Sequence, residues 1–285
     1  MKKLSFGDFP SKYKKRATSR VALFPIAYDE TSTWKKGADK GPKALLEASQ
    51  ALEWYDREIN AEPFRVGIFT HNILQDFHSP SFMVKTVEKK VKKTFEEKNF
   101  YVGIGGNHSV SIGAIFAASK IYNDLTTVQI DAHADLRDKY LGSRFNHACV
   151  MRRALEVSHI VQIGIRSFDL SEYKIMNKKK VFFAEDIYNN DKWIEKAINS
   201  IETKNVFLTI DLDGFDPTLV PATGTPEPGG LNWYDTLKFL KQLFKEKNVV
   251  GFDVVELCPN DNSASSEFLA AKLVYKLIGY KFFIK

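Results

Sequence analysis

Short apolar runs rich in β-branched and aromatic residues alternate with amphipathic stretches along nearly the whole chain. The runs lie at 21–27, 64–69, 100–104, 127–130, 160–165, 181–183, 206–210 and 249–255. Stretches with helical spacing of apolar residues lie between most of them, at 42–52, 82–98, 110–121, 148–155, 191–201 and 233–245, and one more at 264–277 closes the chain. Strands and helices in alternation, with strands apolar on both faces, predict an α/β protein with a mainly parallel sheet covered by helices on both sides. Eight such units could equally close into a barrel, and periodicity does not separate the two. Both architectures gather their sites at the carboxyl ends of the strands.

No internal repeat, low-complexity tract or linker divides the 285 residues, so the expectation is a single domain spanning 1–285. Residues 1–19 are polar and basic and are expected to pack as an N-terminal arm or to fray. Residues 213–230 are rich in Gly and Pro and lack periodicity, which predicts a long loop of the kind that often carries function.

Charge and composition narrow the function classes. The chain carries a net charge of +6, but its lysines are spread out, and Glu88, Glu96 and Glu97 interleave with the cluster Lys89, Lys90, Lys92 and Lys93. That pattern reads as a solvated helix face, and no nucleic-acid-binding signature accompanies it. No apolar run reaches the ~18 residues of a membrane span, and the first residues lack the apolar core of a secretory signal. Cys149 and Cys258 are far apart in sequence and imply no disulfide framework. The expected location is the cytoplasm.

The candidate chemistry lies at strand ends. The run 127–130 is followed by Asp131-Ala132-His133-Ala134-Asp135. Alternate side chains of a strand face the same side, so Asp131 and His133 can converge, and Asp135 can join them if the chain turns. Carboxylates with an imidazole suit a divalent metal such as manganese. Asp211 and Asp213 repeat the spacing after the run 206–210, and His108 follows Gly105-Gly106-Asn107 after the run 100–104. Asp131, Asp135, Asp211 and Asp213 in one crevice cannot all stay ionised without compensation. Two divalent cations neutralise them, giving six ligands for two ions with two aspartates shared, an arrangement that activates water. Glu256, at the end of the run 249–255, could bind a cationic substrate by bidentate hydrogen bonds or form a structural ion pair.

These motifs, in this order, resemble those of the ureohydrolases: arginase, agmatinase and their relatives. The opening segment Tyr28-Asp29-Glu30-Thr31-Ser32-Thr33 and the segment Gln162-Ile163-Gly164-Ile165-Arg166-Ser167 are similar to that family as well. The resemblance covers residues 20 to 280. It implies a three-layer α/β/α fold with an open, eight-stranded, mainly parallel sheet rather than a barrel. It implies two Mn2+ ions, one held by His108, Asp131, Asp135 and Asp211, the other by Asp131, His133, Asp211 and Asp213. A metal-bridging hydroxide would attack the guanidinium carbon and release urea and an amine. Glu256 matches the family's guanidinium-binding residue. His147 matches its proton shuttle, although from the sequence alone it reads as a capping residue at a loop-to-helix junction.

The loop Leu136–Phe145 lacks the features with which arginases grip an amino-acid head group, and Gly224-Thr225-Pro226-Glu227-Pro228-Gly229-Gly230-Leu231 is similar to the agmatinase form. The expected reaction is therefore hydrolysis of agmatine to putrescine and urea. The run His147-Ala148-Cys149-Val150-Met151-Arg152-Arg153 resembles a subgroup that includes enzymes for longer guanidines, such as N1-aminopropylagmatine. Guanidinobutyrate, arginine and acetylated polyamines are further alternatives, and a non-catalytic metal-binding regulator is a reading from a different class. Asp169, Glu172 and Glu227 are the candidates for binding a distal amine. The expected partner is a small cationic guanidino substrate, with no nucleic acid and no membrane, and the resemblance implies a homotrimer or homohexamer.

Overall fold

A computed structural model describes residues 4–190, 192–260 and 264–284. Its strands are β1 (Val21–Ile26), β2 (Ile68–Thr70), β3 (Phe100–Gly105), β4 (Leu125–Ile130), β5 (His159–Ile165), β6 (Val181–Phe183), β7 (Asn205–Asp211) and β8 (Asn248–Val255). Its helices are α1 (Gly41–Ala48), α2 (Pro80–Glu96), α3 (Ser111–Ser119), α4 (Val150–Ala154), α5 (Leu170–Ile175), α6 (Ala184–Tyr188), α7 (Trp193–Ser200), α8 (Trp233–Glu246) and α9 (Ser265–Phe283).

The strands form one open eight-stranded sheet in the order β2-β1-β3-β8-β7-β4-β5-β6. Every pairing is parallel. The central strands are buried along almost their whole length, which explains their unbroken apolar runs. Alternation then distributes side chains to two cores. Val206, Leu208 and Ile210 of β7 enter one core with α8 and α9, while Phe207 enters the other with α2 and α3. The result is three layers, helix on sheet on helix, and no barrel closure.

The stretch 64–69 departs from the expected strand. Pro63–Val66 is a 3-10 turn, because Pro63 has no N–H for a ladder and Gly67 takes a positive φ of 80°. Only Ile68–Thr70 pairs with β1. The short helices α5 and α6 have no long periodic run to mark them. Helix α5 does have a capping box between Asp169 and Glu172 at its start. Near the N-terminus, Phe6 and Phe9 are buried, and Phe9 stacks on Phe64 and Tyr275. The helical stretch expected from 191 begins at Trp193, and Asp191 lies outside the described residues.

Strand order positions the site. β3, β8, β7 and β4 are consecutive neighbours in the middle of the sheet. Their carboxyl ends carry His108, Glu256, Asp211 with Asp213, and Asp131 with His133 and Asp135. The chain direction of winding changes in this region, which opens the crevice that parallel sheets use for ligands.

Candidate active site

Close backbone approach builds the crevice before any side chain is counted. A Cβ at Gly106 would overlap the Tyr28 carbonyl, and one at Gly214 would lie 2.8 Å from the Asp131 nitrogen. These positions need glycine for that reason. Beyond β8, Glu256 takes a positive φ of 64°, and its N–H donates to the Gly106 carbonyl at 2.8 Å. The chain also turns at Asp135, whose φ is 52°. That turn is what lets the third member of the Asp-x-His-x-Asp motif swing back toward the first.

The turns bring six side chains into two overlapping groups. In the first, His108 Nδ1 lies 3.0 Å from Asp131 Oδ2, 3.0 Å from Asp135 Oδ2 and 3.4 Å from Asp211 Oδ2. In the second, His133 Nδ1 lies 3.0 Å from Asp213 Oδ2 and 3.6 Å from Asp131 Oδ1. Asp131 belongs to both, with one oxygen toward each. His108, Asp131 and Asp135 are together able to hold a metal ion, and so are Asp131, His133 and Asp213.

The donor set fits divalent cations on two counts. His108 Nδ1 is buried and makes no hydrogen bond of acceptable direction despite the surrounding carboxylate oxygens. Ligands around an octahedral ion with bonds of about 2.1 Å stand roughly 3 Å apart, which is the spacing found here. The opposite ring nitrogen, His108 Nε2, is 2.9 Å from Thr209 Oγ1, so the ring is oriented from behind.

Burial and neighbouring charge shift the groups of this cluster strongly. Burial raises the Asp211 carboxyl, and the charges of Asp213 and Asp131 push it further, to well above its ordinary value. Burial and the Asp131 charge push Asp135 up to about 7. Burial opposes the charged forms of both histidines, but the neighbouring aspartates outweigh it, holding His108 well above its usual range and His133 up to about 12. Burial would also raise Asp131, yet the neighbouring His108 and His133 win and keep it low.

A cavity of about 330 Å³ opens over these groups, and Arg137, Tyr140, His147, Phe168, Asp169, Glu172, Thr225 and Glu256 line it with them. Glu256 Oε1 accepts the His108 backbone N–H at 2.7 Å, and burial raises its carboxyl to about 8. His147 begins a 3-10 turn capped by the Asn146 side chain, and burial pushes its imidazole down to about 4. Its Nδ1 is buried and has no hydrogen-bond partner.

The candidates for the distal amine separate. Asp169 and Glu172 both reach the cavity wall, but each has structural bonds. Glu172 Oε1 accepts the Leu136 N–H at 2.9 Å and Oε2 the Asp169 N–H at 2.9 Å, while Asp169 caps α5. Glu227 is 37% exposed, with Oε1 3.9 Å from His133 Nε2.

Arg166 has a part that its motif alone did not disclose. Its guanidinium donates to the carbonyls of Asp213 and Glu227 at 2.7 Å each and to that of Pro228 at 2.9 Å. It pins the long loop over the second group, where Thr225 Oγ1 reaches Asp213 Oδ2 at 3.3 Å. These three partners are backbone atoms 47 to 62 residues away, so no local spacing could signal them.

Similarity to known proteins agrees with this construction. A family model described as the arginase family matches residues 19–279. The chain belongs to the arginase family. Arginase-family ureohydrolases cleave C–N bonds of guanidino compounds, and this chain is a hydrolase of that kind. It is 45% identical over 274 residues to a protein of Synechocystis sp. named N(1)-aminopropylagmatine ureohydrolase, covering 93% of this chain and 90% of that one. It is 34% identical over 262 residues to an agmatinase of Pyrococcus horikoshii, with 90% of each covered. Among solved structures, the agmatine ureohydrolase of Thermoplasma volcanium superposes with a TM-score of 0.87 at 30% identity, covering 99% of this chain and 94% of that one. The open parallel sheet is thus the arginase-family fold, and the chain is an agmatinase-like ureohydrolase.

Proposed function

We propose that this arginase-family protein hydrolyses N1-aminopropylagmatine, releasing urea and the corresponding triamine, with two divalent cations, Mn2+ by preference. Agmatine is the substrate that the two loop sequences favour on their own. The observation that shifts the choice is the 45% identity to the aminopropylagmatine ureohydrolase, against 34% to the agmatinase. The same reading accounts for the His147-Ala148 junction and for a cavity wall that carries Asp169 and Glu172 beyond the catalytic groups.

In this reading His108, Asp131, Asp135 and Asp211 hold one cation, and Asp131, His133, Asp211 and Asp213 hold the other. Bound there, the ions supply Lewis acidity that lowers the pKa of a water molecule toward neutrality. The protein's own groups do the rest. Glu256 orients the guanidinium by charge-assisted hydrogen bonds. His147, neutral in its buried position, accepts a proton and delivers it to the departing amine. Asp169 and Glu227 offer carboxylate oxygens to the distal ammonium. Glu172 serves the same end chiefly by fixing the wall.

Urea release by the Mn2+-loaded chain tests the reaction class. Asp131→Asn and Asp211→Asn are expected to lose metal and at least ~10³-fold in turnover, because each removes a shared ligand. Full activity in either variant with one ion or none would rule out the two-ion reading.

A further inference from the structure

Two glutamines lie beneath the first motif, in strands that are otherwise almost wholly apolar or hydroxylic. Gln129 of β4 and Gln162 of β5 are register partners, and both are fully buried. A buried primary amide is costly unless its donors and acceptors are engaged. Mutual pairing alone would account for the bond from Gln162 Nε2 to Gln129 Oε1 at 2.6 Å. It does not account for where the other ends point. Gln129 Nε2 donates to Asp131 Oδ2 at 2.6 Å and to the His133 carbonyl at 3.2 Å. Gln162 Nε2 also donates to the Ala134 carbonyl at 2.8 Å.

The orientation of both amides is dictated by these partners. Carbonyl oxygens only accept, and an ionised carboxylate does the same. The NH2 end of Gln129 must therefore face Asp131 and His133, which turns its oxygen toward Gln162. Gln162 must in turn present its NH2 end to that oxygen and to Ala134. The pair forms a directional relay that grips residues 131, 133 and 134 from below.

We infer that Gln129, held by Gln162, is a positioning residue for the metal centre. It fixes the rotamer of Asp131 and aims Oδ2 at the point it shares with His108 and Asp135. The inference rests on the two-ion reading proposed above. Asp131 Oδ2 is the oxygen 3.0 Å from His108 Nδ1, and a neutral donor on that oxygen orients it without cancelling its charge. Asp131 Oδ1 has its own anchor, the His133 N–H at 2.6 Å. Each oxygen of the shared carboxylate is thus set by a separate donor, one from the backbone and one from the relay.

The test uses the full chain, stripped with a chelator and titrated with Mn2+ by calorimetry. Wild type is expected to take up two equivalents. Gln129→Met is expected to weaken one of them by about 10–100-fold, the range for loss of a partner that orients a ligand. Gln162→Met should weaken it less, since Gln129 keeps its direct bond. The rise in unfolding temperature between chelator and saturating Mn2+ should shrink in step. A merely structural pair would lower the unfolding temperature in chelator and leave both the affinity and the Mn2+-induced rise at wild-type values, which overturns the inference. Gln129→Leu, which also lacks the donor, serves if the methionine variants do not fold, with the same weakening expected and wild-type affinity again overturning the role. A wild-type chain that takes up no Mn2+ defeats the two-ion reading and this inference together. Two equivalents in wild type with unaltered variants defeats only this inference.

Discussion

His147 keeps a neutral imidazole in the cavity because burial pushes its pKa down to about 4. Above that pH the ring is neutral, and its Nδ1, which has no hydrogen-bond partner, is open to a proton. His147→Ala should therefore lower kcat by about 10²–10⁴-fold, the usual worth of a positioned acid–base group. Bound-metal content measured on the same sample should not change, and loss of metal would make His147 a ligand instead. The shifted groups of the cluster support a second expectation. His133 is pushed up to about 12 and carries a proton at pH 7, and His108 and Asp211 are shifted in the same direction. Cations need neutral imidazole and ionised carboxylate, so uptake must release the His133 proton, and affinity must rise with pH. Calorimetry at pH 7 in two buffers of different ionisation enthalpy should report net proton release; equal heats in both would contradict it. The residues of these two expectations were legible to different degrees. The period of a strand put Asp131 with His133 and Asp211 with Asp213, whereas the meeting of the two pairs depends on strand order, which spacing does not encode. His147 gave no physical signal in the sequence beyond a capping position, since its neighbours in the cavity come from distant segments.

At the scale of elements, the strands of the central sheet were readable because burial on both faces leaves continuous apolar runs. The edge was harder. Pro63 and Gly67 break an apolar stretch into a 3-10 turn and a three-residue strand, and α5 and α6 are too short for a helical period to emerge. The long loop after β7 was visible as a loop, but what orders it was not. Arg166 does so through carbonyls of Asp213, Glu227 and Pro228. Arg166→Met should free that loop, raising KM several-fold with a smaller fall in kcat and making 215–230 more sensitive to protease. Unchanged KM and protection would show that the loop is held by other contacts. Asn232 provides the contrasting case. It caps α8 by accepting the Asp235 N–H at 2.9 Å, away from the cavity. Asn232→Ala should cost about 1 kcal/mol of stability, measured by denaturant unfolding of the metal-loaded protein. Its steady-state constants should match wild type.

The whole molecule carries a net charge of +6, yet its cavity is built on carboxylates, so the average charge conceals the chemistry of the site. Among the described residues no helix is long and apolar enough to cross a membrane. The fold class was legible from strand–helix alternation, and the choice of open sheet over barrel came from resemblance and then from the strand order itself. Substrate length was the least legible property, because the two loop sequences and the run after His147 pointed to different substrates. That is also where the proposed function is most exposed. The direct measurement is a competition in one vessel: the Mn2+-loaded chain, equal concentrations of N1-aminopropylagmatine and agmatine, and both amine products quantified with urea over time. The triamine should form at least ~10-fold faster than putrescine, corresponding to roughly 1.4 kcal/mol of extra transition-state binding from the distal ammonium. Equal rates, or faster putrescine formation, would contradict the assignment and make agmatine the substrate.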